Sequence, residues 1–423
     1  MPAIDTMSAV PGTVVPSGSL ISPAGDQGPV GAQGPAGPST VSTDPGNIAT
    51  LGTDSKILVP QSQITAIRLR TYNALGNSTF ECDQRQNASP GMTNPAGGIF
   101  PVDRWYYQKS AGVTAAINIA NSVSSVVVPG TNFRISRLPL RFTVTTTQAS
   151  LPATDFVMIT QFVEGPQIRE SINDVTSISV LAQCSIAPLS FGITISDSPA
   201  TKCFTHLCQI STANTWTYIT CPNIPVFPSG NFTDAPGTVG QLIRIVLGAG
   251  STNTSPANDV WNTGTYYAAT GQTNFAGQAS AVLTLGFLQW EPGPVCTTPI
   301  DLPFDQNLWA CERYCTKSYD YGVRPGTVVT AGRIQGVAGA GGSPNCIPVF
   351  FKKRMAKAPT IAGYSDVSGA GGNIRDESAG IDRAITAVAP NPPGESGFHG
   401  FNCSTQNAAI AVYSFHYVAD TGW

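Results

Sequence analysis

The sequence predicts an all-β protein, a β-sandwich followed by a smaller β domain, and three observations predict it. Hydrophobic residues make up 41% of the 423 positions and charged residues only 11%, so most of the chain has apolar surface to bury. Ser, Thr and Asn fill much of the remainder; alongside Val, Ile and aromatics they suit solvent-facing strands and turns better than helices. Short apolar runs alternating with period two recur between clusters of Gly, Pro and Asn, the spacing expected of a sandwich or barrel. A chain of this length can bury at least two substantial cores.

Residues 1–24 are Ser, Pro, Gly and Val in no periodic order and form no core of their own, so they read as an extended segment ordered by a partner. From residue 25 to 39 the chain keeps a three-residue period, with Gly25, Gly28, Gly31, Gly34 and Gly37 in strict register and proline in several second positions. This is the collagen repeat. Three polyproline-II strands leave room only for a hydrogen at their axis once every three residues, so the run implies three chains. Five triplets are too few to hold a trimer alone, and assembly is expected to rest mainly on the β domains C-terminal to them. A flexible Pro/Gly linker with a chance register is the bland alternative. Residues 40–60 mix the turn signals Asp44-Pro45-Gly46 and Gly52-Thr53-Asp54 with short apolar runs and read as a β-turn neck.

The first β domain is expected over residues 61–305. Arg141 to Thr147 places Phe142 and Val144 on one face, and Phe191 to Ile195, Trp216 to Thr220, Gln241 to Leu247 and Ala281 to Trp290 alternate likewise. Leu308 to Lys317 has Leu308, Cys311 and Cys315 at helical spacing and predicts a helix bridging to a second domain over 306–423. There, strands are expected near Val349 to Phe351 and Ala411 to Val418, with a Gly-rich loop from Gly336 to Gly342. In the last strand Tyr413, Phe415 and Tyr417 share one face, which leaves His416 on the other, read as the solvent side.

A net charge of −3 without a basic stripe speaks against a nucleic-acid partner. Met1 to Val10 lack a basic stretch followed by an apolar one, and no apolar run approaches the roughly 18 residues of a membrane span, so a soluble protein without a secretion signal or membrane partner is expected. Ten cysteines, none in a Cys-x-x-Cys pair, fit either disulfides or buried thiols. Cys311 and Cys315, and Cys203 and Cys208, are the candidate disulfide residues. Cys203, His206 and Cys208 form the one Cys/His cluster. Because alternate side chains of a strand point to opposite faces, this cluster reads as structural, and no metal or cofactor is expected. No nucleophile elbow, phosphate loop or His-Glu-x-x-His occurs. Asp103, Glu164, Asp174 and Glu291 are the carboxylates a glycosidase reading would need, but Asp103 and Glu164 are more simply structural, so no catalysis is expected. Tyr266, Tyr267 and Trp261, in an Asn/Thr/Gly context, are the aromatic candidates for stacking on a sugar.

One stretch, Asn77-Ser78-Thr79-Phe80-Glu81-Cys82-Asp83-Gln84-Arg85 followed by Asp103-Arg104-Trp105, resembles the opening signature of a family of tailed-phage structural proteins. The body of that family is a jelly roll similar to carbohydrate-binding modules. Gln161-Phe162-Val163-Glu164-Gly165, Trp216, Leu247-Gly248-Ala249-Gly250 and Leu288-Gln289-Trp290-Glu291-Pro292-Gly293 come next, in that family's order. Cys311-Glu312-Arg313-Tyr314 and His416-Tyr417-Val418-Ala419-Asp420 resemble its C-terminal domain, and Gly52-Thr53-Asp54 a linker between stalk and head in phage fibres. Cys82 and Cys315 depart from the family, standing where Ile/Val or Tyr is expected. The resemblance implies a jelly-roll sandwich in a phage virion: a non-enzymatic, homotrimeric tail, collar or head fibre. Residues 1–24 would bind other virion proteins and the fibre would aid host attachment. It also leaves open a receptor-binding protein reading bacterial surface glycan, and more remotely a polysaccharide depolymerase.

Overall fold

The computed structural model describes residues 50–51, 57–58 and 72–423, apart from 87–90, 122–125, 131–133, 137, 170, 172, 229–231, 340–346, 390–391 and 405–408. The expected anchor (1–24), the Gly-x-Y run from Gly25 to Gly37 and the neck's turn signals lie outside the described residues, as does Cys346. In the neck, β1 (Thr50–Leu51) and β2 (Ile57–Leu58) pair antiparallel, with Thr50 opposite Leu58.

Within residues 61–423, which form one compact unit, period-two alternation produces long antiparallel strands. The first are β3 (Ile99–Val102), β4 (Trp105–Lys109), β5 (Ala116–Asn121), β6 (Val126–Val127), β7 (Arg134–Ser136) and β8 (Leu140–Thr146). Then come β9 (Phe156–Glu164), β10 (Thr176–Cys184), β11 (Leu189–Asp197), β12 (Lys202–Ile210), β13 (Thr217–Ile224), β14 (Val239–Ala249), β15 (Trp261–Thr263) and β16 (Val282–Pro292). A five-stranded sheet runs β13-β10-β16-β8-β5 and a seven-stranded one β15-β12-β11-β14-β9-β4-β3. With the eight long strands β8 to β14 and β16 numbered one to eight, one sheet holds the first, eighth, third and sixth, the other the second, seventh, fourth and fifth. The chain thus switches sheets in the double Greek-key order of a jelly roll.

The core between the sheets takes one face of each strand. Leu140, Phe142 and Val144 enter it from β8, as the sequence predicts, and Ile243, Ile245 and Leu247 enter it from β14. In β16 the pattern would slip, because Leu283 and Leu285 have one parity and Leu288 and Trp290 the other. A register shift opposite Leu181 and Ala182 absorbs the extra residue, so all four point inward. Gly286 sits at that shift, where a Cβ would meet the Val126 side chain at 2.9 Å.

The second core lies beyond residue 305. A short helix α1 (Gly165–Ile168) belongs to the sandwich; α2 (Phe304–Cys311) opens the second domain. It is followed by β17 (Cys315–Lys317), β18 (Ile334–Ala338), β19 (Val349–Phe350), β20 (Thr360–Tyr364), β21 (Asn373–Asp376), β22 (Ile381–Val388), β23 (Gly397–Phe398), β24 (Phe401–Cys403) and β25 (Ala411–Asp420). β25 is the organiser: its first half pairs with β18 and β21, its second half with β17 and β20. Tyr413, Phe415 and Tyr417 carry its inward face, packed with Phe351, Phe398 and Phe401.

Three expectations need correction. The helix is Phe304–Cys311, not Leu308 to Lys317. The Glu312 N–H closes it onto the Leu308 carbonyl, Arg313 and Tyr314 turn to reach Glu164, and Cys315 already pairs as a strand with Asp420. Gly336 lies inside β18 opposite Tyr413, so it does not begin a loop. His416 is fully buried, because the segment after β17 folds over the second face of β25. Its ring stacks on Tyr319 at 3.9 Å, Nδ1 pairs with the Ser318 hydroxyl and Nε2 with the Val329 carbonyl.

Burial holds His416 below the ordinary histidine value, although the Val329 contact and nearby Asp366 oppose that shift. The unfolded chain therefore takes up this proton first, and stability declines as pH falls from about 6.5 toward the lowered folded-state value. Denaturation midpoints measured between pH 7 and 5 should drop in the parent protein. His416→Gln should lessen that slope; an unchanged slope would place the titration elsewhere.

Candidate binding surfaces and the Cys/His cluster

A sandwich binds a sugar chain on a sheet only if that sheet offers an open face carrying aromatic rings. The central strands contradict this, since every residue of β11 is buried and all of β14 except its two ends. Residues 251–273 cover half of the outer face of the seven-stranded sheet. The Thr194 hydroxyl donates to the Tyr267 carbonyl, Arg244 lies 5.1 Å from the Tyr267 ring, and that ring packs edge-on against Phe156 at 5.0 Å. At Gly192 a Cβ would collide with the Gln272 side chain at 2.5 Å, so glycine is what allows the loop down onto the strand. The other half is covered from the second domain, where Tyr314, Ala356 and Trp423 pack on Phe162 and Val239.

Residues 294–300 lie on part of the outer face of the five-stranded sheet, over β13, β10 and β16, while Arg141 and Thr145 of β8 are exposed. Cys296 Sγ contacts the Ile178 carbonyl, Tyr218 donates to the Thr297 carbonyl and the Ile300 N–H donates to Gln289 Oε1. On the central strands of the seven-stranded sheet, therefore, the outward side chains are engaged by the chain itself. Tyr267 is part of that cover. Tyr266 is half-buried, its ring beside Gly264. Trp261 is half-buried against Phe204, Phe227 and Phe232, with its indole N–H donating to the Pro225 carbonyl. The three proposed sugar-stacking residues thus lie along one segment without forming a common open platform. A different aromatic cleft, of about 400 Å³, is lined by Glu81, Leu138, Phe304 and Tyr321. Phe304 and Tyr321 meet edge-on there at 5.1 Å. These two residues fall in a Pro-rich connector and after β17, and nothing in their local pattern marked them.

The carboxylates considered for catalysis are committed to structural hydrogen bonds. Glu164 accepts both arms of the Arg313 guanidinium at 2.6 and 2.8 Å, the Tyr314 hydroxyl at 2.9 Å and the Gly237 N–H. Burial alone would raise it, but Arg313, Gly237 and Tyr314 outweigh burial and hold the carboxyl below its usual range. Asp103 is shared among Gln84 and Arg85, and burial pushes it above its usual value despite that arginine. Glu291 is held by Thr297 and Gln289, and Asp174 accepts the N–H of Val175.

The structure sets the candidate cysteines apart. Cys203 and Cys208 lie in one strand five residues apart, on opposite faces and roughly 16 Å along it, out of disulfide reach of one another. Cys311 and Cys315 sit on a helix end and a strand, not one helical turn apart. All four are buried free thiols, and the neighbour of Cys311 is Cys82, its hydrogen-bond partner. Cys203 Sγ contacts the Gly264 carbonyl.

The Cys/His cluster is assembled differently from the sequence grouping. Cys203 faces away from His206, as alternation requires, while Cys208 shares the His206 face. Two residues from distant segments complete the group. Asp259 Oδ1 lies 2.6 Å from His206 Nδ1, and Cys221, on the opposing sheet, brings its thiol within 4.8 Å of both. Burial pushes the Cys221 thiol up to about 12. Asp259 adopts a left-handed backbone (φ 61°), and its N–H donates to the Thr205 carbonyl. The Asn258 side chain ties the same loop to both backbone groups of Thr270, and Asn262 ties it to Ala257 and Val260.

Strand order and the two cores define the class, a jelly-roll sandwich followed by a second β core. No family model matches the sequence, and no curated protein does either. Among solved structures, the chain resembles TmCBM61 in complex with β-1,4-galactotriose, at 12% identity, over 52% of this chain and 98% of that one, TM-score 0.26. A putative sugar binding protein from Bacteroides thetaiotaomicron gives 10% identity over 52% and 99%, TM-score 0.27. The enzymatically active domain of tailspike protein 4 from bacteriophage CBA120 gives 10% over 53% and 21%, TM-score 0.26.

Proposed function

We propose that the chain is a non-enzymatic structural component of a phage virion, a trimeric fibre or whisker on tail, collar or head. In this reading residues 1–24 dock on other virion proteins and the β domains project from the particle to aid host attachment. The observation that carries it is the strict glycine register from Gly25 to Gly37, a pattern that serves three wound chains. Two further features support it. The residues that resemble the phage family, Asn77, Asp103, Trp105, Glu164, Arg313 and Asp420, meet in the junction that holds the two β domains together, a structural use. The central strands of the seven-stranded sheet are covered by the chain's own segments, a structural use of that face.

A second reading, a receptor-binding protein for bacterial surface glycan, is favoured by the aromatic cleft of Phe304 and Tyr321. One experiment addresses both. Light scattering should give three times the chain mass for the full-length protein and for the protein lacking residues 1–60. Monomers in both would reduce the Gly-x-Y run to a linker and remove the fibre reading. On a glycan array the same preparations should give no selective signal; a selective one lost on Tyr321→Ala would favour the receptor reading.

A further inference from the structure

We propose that His206, Cys221 and Asp259 form a zinc site that staples the two sheets of the sandwich and the 255–263 loop together. Their ligand atoms already lie within 4.8 Å of one another. In a tetrahedral zinc site with bonds of about 2.0–2.3 Å, neighbouring ligand atoms stand roughly 3.3–3.7 Å apart. The observed group therefore needs movements of about an ångström, with His206 and Asp259 parting slightly and Cys221 closing in. The donor set selects the metal: a thiolate, an imidazole and a carboxylate suit zinc, whereas magnesium and calcium take oxygen ligands.

The placement shows what such an ion would do. His206 lies on β12, whose partner β15 pairs only with residues 202–204; past the Asp259 N–H bond to the Thr205 carbonyl no strand continues the pairing. Cys221 lies on β13, the edge strand of the other sheet. Asp259 caps the gap from a loop whose shape is set by Asn258, Asn262 and the Thr205 carbonyl. Three segments distant in sequence would be tied at one margin of the sandwich. The ligands differ in exposure, with Cys221 5% exposed, the His206 side chain 19% and that of Asp259 59%. The fourth position therefore opens on the Asp259 side, to water. Binding forms the Zn–S bond as the Cys221 thiol proton leaves to solvent. Cys208, next on the His206 face, lies behind the site toward the core.

The test uses the full chain, treated with a chelator and kept reduced by a phosphine. Cobalt(II) titration should produce one equivalent of thiolate-to-cobalt absorption, displaced by one equivalent of zinc, and zinc should raise the thermal midpoint. Cys221→Ser should abolish the absorption. Asp259→Asn, at an exposed position that does not endanger folding, should weaken zinc at least about tenfold. Cys203→Ser, on the opposite face, should change neither. Absence of the absorption in the parent protein, its survival in Cys221→Ser, or equal zinc affinity in Asp259→Asn would each overturn the proposal.

Discussion

Arg85→Ala should destabilise the protein by about 3–5 kcal/mol, the range for removing one partner of a buried ion pair. The Arg85 guanidinium donates to both oxygens of Asp420 at 2.7 Å and to Asp103 at 2.9 Å, and only 8% of its side chain is exposed. It thus joins the sandwich, through Asp103, to the last strand of the second domain, through Asp420. Deleting it strands two carboxylates, one of which is 1% exposed. Most of the loss comes from those abandoned charges, so Asp103→Asn and Asp420→Asn added to Arg85→Met should recover much of it. Chemical denaturation of the parent and these two variants tests this. A loss below about 1 kcal/mol for Arg85→Ala, the level of an exposed pair, would mean that water solvates these charges.

The same junction sets the acid limb. Burial would raise Asp420, but the Arg85 charge and hydrogen bonds outweigh it and hold the carboxyl below its ordinary value. A depressed carboxylate contributes stability that is fully present above its unfolded value, about 3.9, and is lost as pH falls through the folded one. Glu164 acts in the same direction beside Arg313. The parent protein should therefore lose stability steeply below about pH 4, and the Arg85→Ala curve should be flatter there.

Trp105→Ala should cost a similar amount, about 3–5 kcal/mol, as a buried aromatic deleted from a packed core. The ring is fully buried, packs on Phe80 at 5.1 Å, and its N–H donates to the Asn77 carbonyl at 2.9 Å. Asn77 is a hub. Its side chain bonds the Cys82 and Asp103 carbonyls and the Cys82 N–H, and its own N–H donates to Asn307 on α2. Trp105→Phe keeps much of the packing but removes the indole bond to the Asn77 carbonyl, which retains the Phe80 N–H at 3.1 Å, and should lose about 0.5–1.5 kcal/mol. Equal losses for the two substitutions in urea unfolding would mean the hydrogen bond, not the volume, dominates.

What the sequence makes legible follows the reach of its signals. Period-two alternation locates β8, β14 and β16 because one face of each strand meets a core. It locates β11 too, through Phe191 to Ile195, but not the cover on that strand's second face, laid down by a loop of Asn, Thr and Gly residues whose pattern carries no trace of where it lies. The helical spacing of Leu308, Cys311 and Cys315 is real, but Arg313 and Tyr314 are drawn to Glu164, some 150 residues earlier, and that capture ends the helix. His416 alternates correctly with its neighbours, yet alternation cannot reveal that Tyr319 stacks on the second face. The Cys/His cluster fails for the same reason. Alternation rightly separates Cys203 from His206, while Cys221 and Asp259 are supplied by a facing sheet and a distant loop.

The central place of β25 has a consequence for synthesis. β17, β18, β20 and β21 all pair along residues 411–420, so none finds its permanent neighbour there until that strand leaves the ribosome. Throughout translation of residues 306–410 the second core stays open, with the aromatic side chains of Phe351, Phe398 and Phe401 waiting for Tyr413, Phe415 and Tyr417. A chain cut short between residues 306 and 410 would carry every strand of the sandwich and an unfinished second domain. It would also lack Asp420, the carboxylate that clamps Arg85, so a prematurely terminated product would be open to proteases before it could join an assembly.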